Sequence, residues 1–379
     1  MPTIFTRGAA SARGFGLFGG PSVPAYALWS WGRNTNGQLG ISNLTNQSSP
    51  NQVGALTTWS VLSGGFSHSL AVKTDGTLWS WGRNTEGQLG LGNTTQYSSP
   101  KQVGALTTWA TVSGGGYSSF AIKTNGTLWS WGSSTGGVLG LGTPTSYSSP
   151  VQVGALTAWS KISASKNASA FVLAIKTDGT LWSWGSNAEG QLGLNNLTTY
   201  SSPKQVGALT TWSKLSAGGQ HALVIKTDGT LWSWGSNAQG QLGLGGAIAY
   251  NISSPSQVGA LTTWSEPSGQ GLSSLVIKTD GTIWSWGSNN VGQLGLGNLT
   301  YFSSPKQVGA LTTWSKLASG YRHVLVNKTD GTLWSWGINS YGQLGLGDVT
   351  TRSSPVQVGA LTTWSKVAAG SNHSLTTIT

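Results

Sequence analysis

The chain has 379 residues, enough to bury a sizeable core, with 57 glycines and 21 tryptophans but only 8% charged residues. The absence of cysteine excludes disulfides, thiolate metal sites and thiol nucleophiles. The net charge of +11 would suit a nucleic-acid partner only if the basic residues gathered on one face.

Residues 1–24 read "MPTIFTRGAASARGFGLFGGPSVP", with Arg7 and Arg13 but no continuous apolar stretch. The segment is therefore not typical of a secretory signal, and no run in the chain approaches the roughly 20 apolar residues of a membrane span. It is similar to the Gly/Ala-rich starts of phage tail and virion proteins. We predict a separate N-terminal arm at 1–24, a candidate contact for virion assembly, followed by one domain at 25–379.

One pentapeptide, "LWSWG" or "IWSWG", recurs seven times. The copies begin at Leu28, Leu78, Leu128, Leu181, Leu231, Ile283 and Leu333. A period of about 50 residues is typical of solenoids and propellers. Within "HSLAVKTDGTLWSWG", residues 68–82, two short apolar runs flank Asp-Gly, which predicts a β-hairpin.

After each hairpin comes a long loop rich in Gly, Asn and Ser, and then two more short strands. One of these is predicted around Val103-type positions and the other around Trp59-type positions. Each unit therefore has four strands, and no segment has helical periodicity. Seven such units predict an all-β fold, a seven-bladed β-propeller of four-stranded antiparallel blades.

The two ends of the chain complement each other. The turn "KT(D/N)G" occurs six times, and the seventh copy is missing where the chain stops and its start takes over. We therefore predict that a C-terminal strand at 374–379 pairs with an N-terminal strand at 27–31. This pairing would close the ring and leave no large exposed sheet edge.

Tryptophans and lysines keep fixed positions in the repeat. Each unit has three tryptophans, which are expected to fill the space between blades rather than bind a ligand. Of the 14 lysines, 13 occupy repeat positions. Symmetry is expected to spread them around the molecule as a solvated ring, which argues against a nucleic-acid groove.

The acidic residues offer no pair for general acid/base chemistry. Five are hairpin aspartates, Glu86 and Glu189 share one loop position in separate units, and Glu266 and Asp348 are isolated. The "GQLGLG" segment lacks the Lys-Ser/Thr and the helix of a phosphate loop.

All four histidines occupy one repeat position, so they cannot converge on a metal. They are His68, His221, His323 and His373. We expect each to hydrogen-bond backbone near a Gly turn. The sequence thus predicts neither an enzyme nor a cofactor or metal site.

The unit "SGGFSHSLAVKTDGTLWSWGRNTEGQLGLG" resembles the regulator of chromosome condensation (alpha-tubulin suppressor-like) repeat family. The family pattern is a Gly-rich turn, a His, a Gly turn, aromatic-x-Trp-Gly and Asn-x-x-Gly-Gln-Leu-Gly. The resemblance covers roughly residues 25–379 and implies a seven-bladed propeller. Members of that family include exchange factors for a small nuclear GTPase, chromatin binders, an ultraviolet-B photoreceptor, and bacterial and phage proteins. This chain lacks a strongly basic tail and has few acids, so we expect it to be of the phage or bacterial type.

Two segments vary between the repeats: one precedes "SSP" and the other precedes the His68 position. Connections alternate between the ends of an antiparallel meander, so both segments are predicted at one face. Loops carry function on rigid scaffolds, and aromatic and arginine side chains are enriched at contacts. The candidate binding-face residues are Tyr97, Tyr117, Tyr147, Tyr200, Tyr250, Phe302, Tyr321, Arg322 and Arg352. The alternative is drift of solvent loops, with aromatics packing locally on each blade.

We expect a non-catalytic recognition or structural propeller that binds a protein or a surface glycan through this variable face. A virion or extracellular location is favoured over a cytoplasmic one because charge is low and polar uncharged residues are abundant. The alternative is an intracellular exchange-factor-like or chromatin-binding module. A photoreceptor is disfavoured because the tryptophans occupy structural positions of the repeat.

Overall fold

A computed structural model describes residues 26–167, 170–246 and 250–378. Over these ranges the chain forms seven four-stranded antiparallel sheets. Each innermost strand contacts the innermost strands of the two neighbouring sheets, and together they surround a central channel. The predicted seven-bladed β-propeller is confirmed. The predicted arm at 1–24 lies outside the described residues.

Every blade has an inner, a second, a third and an outer strand. The inner strands are Trp59–Gly64, Trp109–Gly114, Trp159–Ala164, Trp212–Ala217, Trp264–Gly269, Trp314–Ser319 and Trp364–Ala369. The second strands are His68–Lys73, Ser118–Lys123, Phe171–Lys176, His221–Lys226, Ser273–Lys278, His323–Lys328 and His373–Ile378. The third strands are Leu28–Gly32, Leu78–Gly82, Leu128–Gly132, Leu181–Gly185, Leu231–Gly235, Ile283–Gly287 and Leu333–Gly337. The outer strands are Gln47–Gln52, Tyr97–Gln102, Tyr147–Gln152, Tyr200–Gln205, Ile252–Gln257, Phe302–Gln307 and Arg352–Gln357. A short 3₁₀ turn occupies Thr135–Gly137.

The outer strand differs from the sequence prediction. It covers "YSSPKQ" at 97–102 and ends just before Val103, although Val103 N still donates to Leu78 O at 2.8 Å. Proline is tolerated because this strand is the sheet edge, where one side of the backbone has no ladder partner. The pairing register also shifts between Ser80 and Gly82, opposite this segment. The Ser-Ser-Pro cluster looked like loop, and the edge position explains why it is strand.

The ring closes at one blade that both ends of the chain build. Its sheet order is outer strand 47–52, third strand 28–32, second strand 373–378 and inner strand 364–369. Leu28 pairs with Thr377 and Gly32 with His373, which confirms the predicted seam. Tyr26 takes a left-handed φ of 66° where the first complete hairpin has Gly76 at 77°, and its N–H donates to Ile378 O at 2.6 Å. Two chain ends thus reproduce the missing turn.

Tryptophans pack between blades, as predicted. Trp59 contacts Trp79 and Trp81 at ring-centroid distances of 6.0 and 6.1 Å. Trp59 and Trp81 share a buried cluster with Leu28 and Leu375 of the seam blade. The Trp81 indole N–H also donates to Gln38 O of that blade, at 2.9 Å. One part of the prediction needs correction, because the first tryptophan of each "WSW" is only half-buried.

The connections divide between two faces. The inner-to-second and third-to-outer connections, such as 65–67 and 83–96, lie at one end of the strands, which we call the loop face. The hairpin turns and the connectors between blades, such as 74–77 and 103–108, lie at the other end, the turn face. The predicted sharing of one face by the two variable segments follows from this topology. None of the helical segments in the described ranges is long and apolar enough to cross a membrane.

Candidate functional site

The predicted aromatics of the outer strands lie at the loop-face rim but pack against their own blades. Tyr97, Tyr147, Tyr200 and Phe302 each begin an outer strand and are half-buried. Tyr147 packs against a core cluster, and so do Tyr200 and Phe302. The Lys101 ammonium lies 5.4 Å from the centre of the Tyr97 ring. This is the local packing that the sequence analysis left open as the alternative to a binding role.

Tyr250 and Arg352 have different environments. Ile252, not Tyr250, pairs with the last residue of the third strand, so Tyr250 is not the counterpart of Tyr97 and lies before the strand, 71% exposed. Arg352 does occupy the Tyr97 position, but its guanidinium pairs with Asp348 at 2.6 Å. It also donates to Thr350 O at 2.9 Å.

Tyr117, Tyr321 and Arg322 lie apart from these, in the inner-to-second connections around the loop-face end of the channel. Tyr117 packs on Phe66 of the preceding blade, with ring centroids 5.6 Å apart. The Arg83 guanidinium lies 4.6 Å from the centre of the Tyr117 ring. We call Phe66, Arg83 and Tyr117 the rim cluster. The sequence analysis did not select Phe66 or Arg83, although Phe66 lies at the same repeat position as the predicted Tyr321.

Backbone hydrogen bonds between blades fix the connections that carry this cluster. Phe66 N donates to Gly115 O at 3.0 Å, and Tyr321 N donates to Ser371 O at 3.1 Å. The Arg322 guanidinium lies 5.4 Å from the ring of its neighbour Tyr321. The predicted residues therefore form two groups, one packed along the outer rim and one held around the channel.

The four histidines are buried between blades and contact a serine hydroxyl, rather than backbone as predicted. His68 Nε2 lies 2.9 Å from Ser119 Oγ, and Ser119 Oγ donates to Gln88 O at 2.7 Å. The hydroxyl hydrogen is thus used, so the imidazole must be the donor and carries its proton on Nε2. His221, His323 and His373 make the corresponding contacts to Ser274, Ser374 and Ser69.

Burial is the main cause that lowers the histidine pKa values. The pKa falls to about 3 for His68, where Arg83 adds to the effect, and to about 4 for His221. It falls to about 3 for His323 and His373, with Lys166 as a further cause for both. These imidazoles are neutral structural groups at neutral pH. No group of three or more His, Asp or Glu side chains within the described part of the chain could hold a metal ion.

Clefts lie at the outer wall between neighbouring blades, and the sequence analysis did not anticipate them. Three of them have volumes of about 560, 260 and 360 Å³. The last is lined by Leu106, Trp109, Trp129 and Pro150, among others. The connector leucines are all partly exposed: Leu56, Leu106, Leu156, Leu209, Leu261, Leu311 and Leu361. These positions hardly change between repeats, so a search for variable segments could not find them.

The lysines spread around the axis as predicted, and most of them lie toward one of the two faces, which the sequence analysis did not address. Ten lie at the turn-face ends of inner or second strands: Lys73, Lys123, Lys161, Lys176, Lys214, Lys226, Lys278, Lys316, Lys328 and Lys366. Six acidic residues share that face: Asp75, Asp178, Asp228, Asp280, Asp330 and Glu266. The lysines of the second strands lie over tryptophan rings, as Lys123 does 3.8 Å from the Trp129 centroid. The turn face therefore carries a net positive charge.

Comparison with protein families gives matches over most of the propeller. The RCC1-like domain matches residues 155–378. The regulator of chromosome condensation (RCC1) repeat matches residues 27–72, 75–122 and 125–172. No curated protein matches the sequence.

Solved structures share the fold. Human WBSCR16 aligns over 94% of this chain and 99% of its own, with a TM-score of 0.84 and 21% identity. Prp20p of Saccharomyces cerevisiae, whose binding to Gsp1p and histones has been characterised, aligns over 94% and 92%, with a TM-score of 0.81 and 20% identity. Yeast RCC1 (Prp20) bound by Kap60 aligns over 99% and 96%, with a TM-score of 0.80 and 18% identity. Identities this low establish the common fold alone.

Proposed function

The chain belongs to the regulator of chromosome condensation repeat family, and from that premise we propose that it is a non-catalytic recognition propeller that binds a protein partner at its loop face. The rim cluster of Phe66, Arg83 and Tyr117 is the observation that carries this proposal. Aromatic rings and a guanidinium there come from two blades and meet at a surface that backbone hydrogen bonds hold in place.

Such a surface suits protein recognition. Tyrosine and arginine dominate binding energy at protein interfaces, and a preorganised surface loses less conformational entropy on binding. A guanidinium that stacks on a ring keeps its N–H groups in plane and available to a partner carboxylate. We therefore expect a partner with an acidic patch. The protein binding of Prp20p, to Gsp1p and histones, supports this class of function.

Affinity selection with the whole chain would test the proposal. We expect Arg83→Ala with Tyr117→Ala to lose a protein partner that the unchanged chain retains. Tyr97→Ala with Lys101→Ala is the matched control, because it removes another cation–aromatic pair, at 5.4 Å, from the outer rim. Equal loss of the partner in both double variants, or in neither, would contradict the assignment to the rim cluster.

The exchange-factor-like or chromatin-binding module is the second candidate, and the charge of the turn face favours it. Ten lysines share that face with six acidic residues, so an acidic surface or a nucleic-acid backbone would be attracted there. Binding to duplex DNA should then weaken steeply with salt, and Lys161→Gln with Lys316→Gln should reduce the slope. A surface glycan as ligand and a virion or extracellular location stay predictions from the sequence.

A further inference from the structure

The central channel has a ring of hydroxyl groups along its wall. The fifth residue of five consecutive inner strands is serine: Ser63, Ser113, Ser163, Ser216 and Ser268. The remaining two inner strands have Ala318 and Ala368 at this position. All seven residues line a cavity of about 230 Å³. We call the five serines the serine girdle.

Four of the five girdle hydroxyl oxygens accept hydrogen bonds from the next blade, whereas the fifth, Ser268 Oγ, contacts Ser319 Oγ at 2.6 Å. Ser63 Oγ accepts from Gly114 N at 2.9 Å, and Ser113 Oγ accepts from Ala164 N at 3.0 Å. Ser163 and Ser216 make the equivalent contacts to Ala217 and Gly269. Their hydroxyl hydrogens have no acceptor among the described residues, so four O–H donors are available to a molecule in the channel.

Lys166 closes the loop-face end of the channel. It follows the third inner strand, and its side chain lines both the channel and a small cavity beyond it, beside Tyr321. Its ammonium donates to Ser319 O at 2.9 Å and to Ala369 O at 2.5 Å. These carbonyls belong to the two blades in which the girdle serine is replaced by alanine. An ammonium has three N–H donors, so one remains for a ligand.

The charge of Lys166 has no acidic counterpart among the described residues. The two ion pairs found there, Lys214 with Glu266 and Arg352 with Asp348, lie elsewhere. Burial lowers the pKa of the Lys166 amine to about 8. Lys166 is partly buried, and a charge that is withdrawn from solvent is normally paired, since its desolvation is costly. An anion in the channel would supply the missing charge.

We propose that the central channel binds a small oxyanion or carboxylate, held between the Lys166 ammonium and the girdle hydroxyls. At the other end of the channel, the turn-face ends of the inner strands carry Lys161, Lys316 and Lys366, which favour the entry of anions. The volume of about 230 Å³ suits an ion of the size of sulfate or a short carboxylate rather than a nucleotide. This site is independent of the rim cluster and of its protein partner.

Isothermal titration of the whole chain with sulfate tests the proposal at constant ionic strength, with a bulky organic anion as the background salt. We expect saturable binding at one site. Lys166→Met should weaken it at least tenfold, whereas Lys101→Met, which removes the same charge from the outer wall, should leave it unchanged. Equal sulfate affinity in Lys166→Met and the unchanged chain, or no saturation in the unchanged chain, would overturn the assignment.

A second variant keeps the test decisive if Lys166→Met fails to fold. Ser113→Ala with Ser163→Ala removes two hydroxyl donors without altering charge, and it should weaken sulfate binding severalfold. Unchanged affinity would argue against the channel.

Binding should also fall as pH rises above 8, because the amine then loses its proton. The groups that face Lys166 are the Tyr321 phenol and the imidazoles of His323 and His373. The pKa values of the two imidazoles are about 3, so both imidazoles are neutral throughout this pH range. A flat profile between pH 7 and 9 would contradict the role of Lys166.

Discussion

The turn face and the loop face of this propeller use repetition differently. At the turn face each complete hairpin makes the same contacts. Asp75 Oδ1 accepts from Thr77 N and Oγ1 at 2.9 and 2.6 Å, and Trp79 Nε1 donates to Thr77 Oγ1 at 2.9 Å. The loop face carries the differences: Lys166 at the channel, the displaced Tyr250, and the rim cluster of two blades. Sequence identity is kept where every complete hairpin makes the same contact, and it is lost where a contact occurs only once in the ring.

Acid pH is expected to have the largest effect, and it concerns residues that do not follow this contrast between the faces. The histidines lie near the loop face, yet they recur at one repeat position in four blades. Their folded pKa values, about 3 to 4, lie below the 6.5 of an exposed imidazole, mainly because of burial. The stabilisation is therefore complete above pH 6.5 and is lost as the pH falls toward 4. Each histidine should cost about 1.4 kcal/mol per pH unit in that window. Denaturant unfolding measured from pH 7 to pH 5 would show the loss.

The chain itself suggests the control for this experiment. Ser118 and Ser273 occupy the histidine position in two blades. His221→Ser should be less stable at pH 7, because it leaves a cavity and removes the hydrogen bond that Ser274 Oγ accepts from the imidazole. It should nevertheless reduce the acid slope by about a quarter, since one of four histidines is removed. The same slope as in the unchanged chain would mean that other groups cause the acid sensitivity.

Alanine substitutions at two glycines of the turn face should separate the energetic cost of overlap with a neighbouring connector from the cost of backbone strain. Gly126 and Gly104 have φ values of 75° and 60°, so alanine is strained at both by about 1–2 kcal/mol. At Gly126 a Cβ would also overlap the backbone carbonyl of Thr157 in the following connector, whereas nothing lies within 4 Å of a Cβ at Gly104. We expect Gly126→Ala to cost at least about 3 kcal/mol, since overlap adds to strain, and Gly104→Ala about 1–2 kcal/mol. Equal costs in thermal unfolding would mean that the connector yields to the added methyl group.

The sequence sufficed for the blades and the seam because their signals are local and repeated. Asp-Gly turns, "LWSWG" strands and complementary ends each predict a strand pairing that the structure contains. The rim cluster could not be found in this way, because Phe66 and Tyr117 approach each other only through the rotation between two blades. Lys166 is the one lysine outside the repeat positions, but its location across the channel, against two alanine-bearing blades, depends on ring closure. In a sequence, leucines and tryptophans that recur at fixed positions are typical of core residues. The outer-wall clefts were therefore missed, because their leucines are exposed and some of their tryptophans are only half-buried.

The smallest expected effects concern the tyrosines predicted for the loop face, and they test whether this rim is packing or surface. Tyr147 is packed on a core cluster, so Tyr147→Phe should be nearly neutral and Tyr147→Ala should cost about 1–3 kcal/mol through lost apolar burial. Tyr250 is 71% exposed, so Tyr250→Ala should change stability by less than about 0.5 kcal/mol. Chemical denaturation of the three variants measures both values. A cost for Tyr250→Ala as large as that for Tyr147→Ala would mean that the exposed ring has a contact on which folding depends, and a negligible cost for Tyr147→Ala would leave that tyrosine free to serve binding.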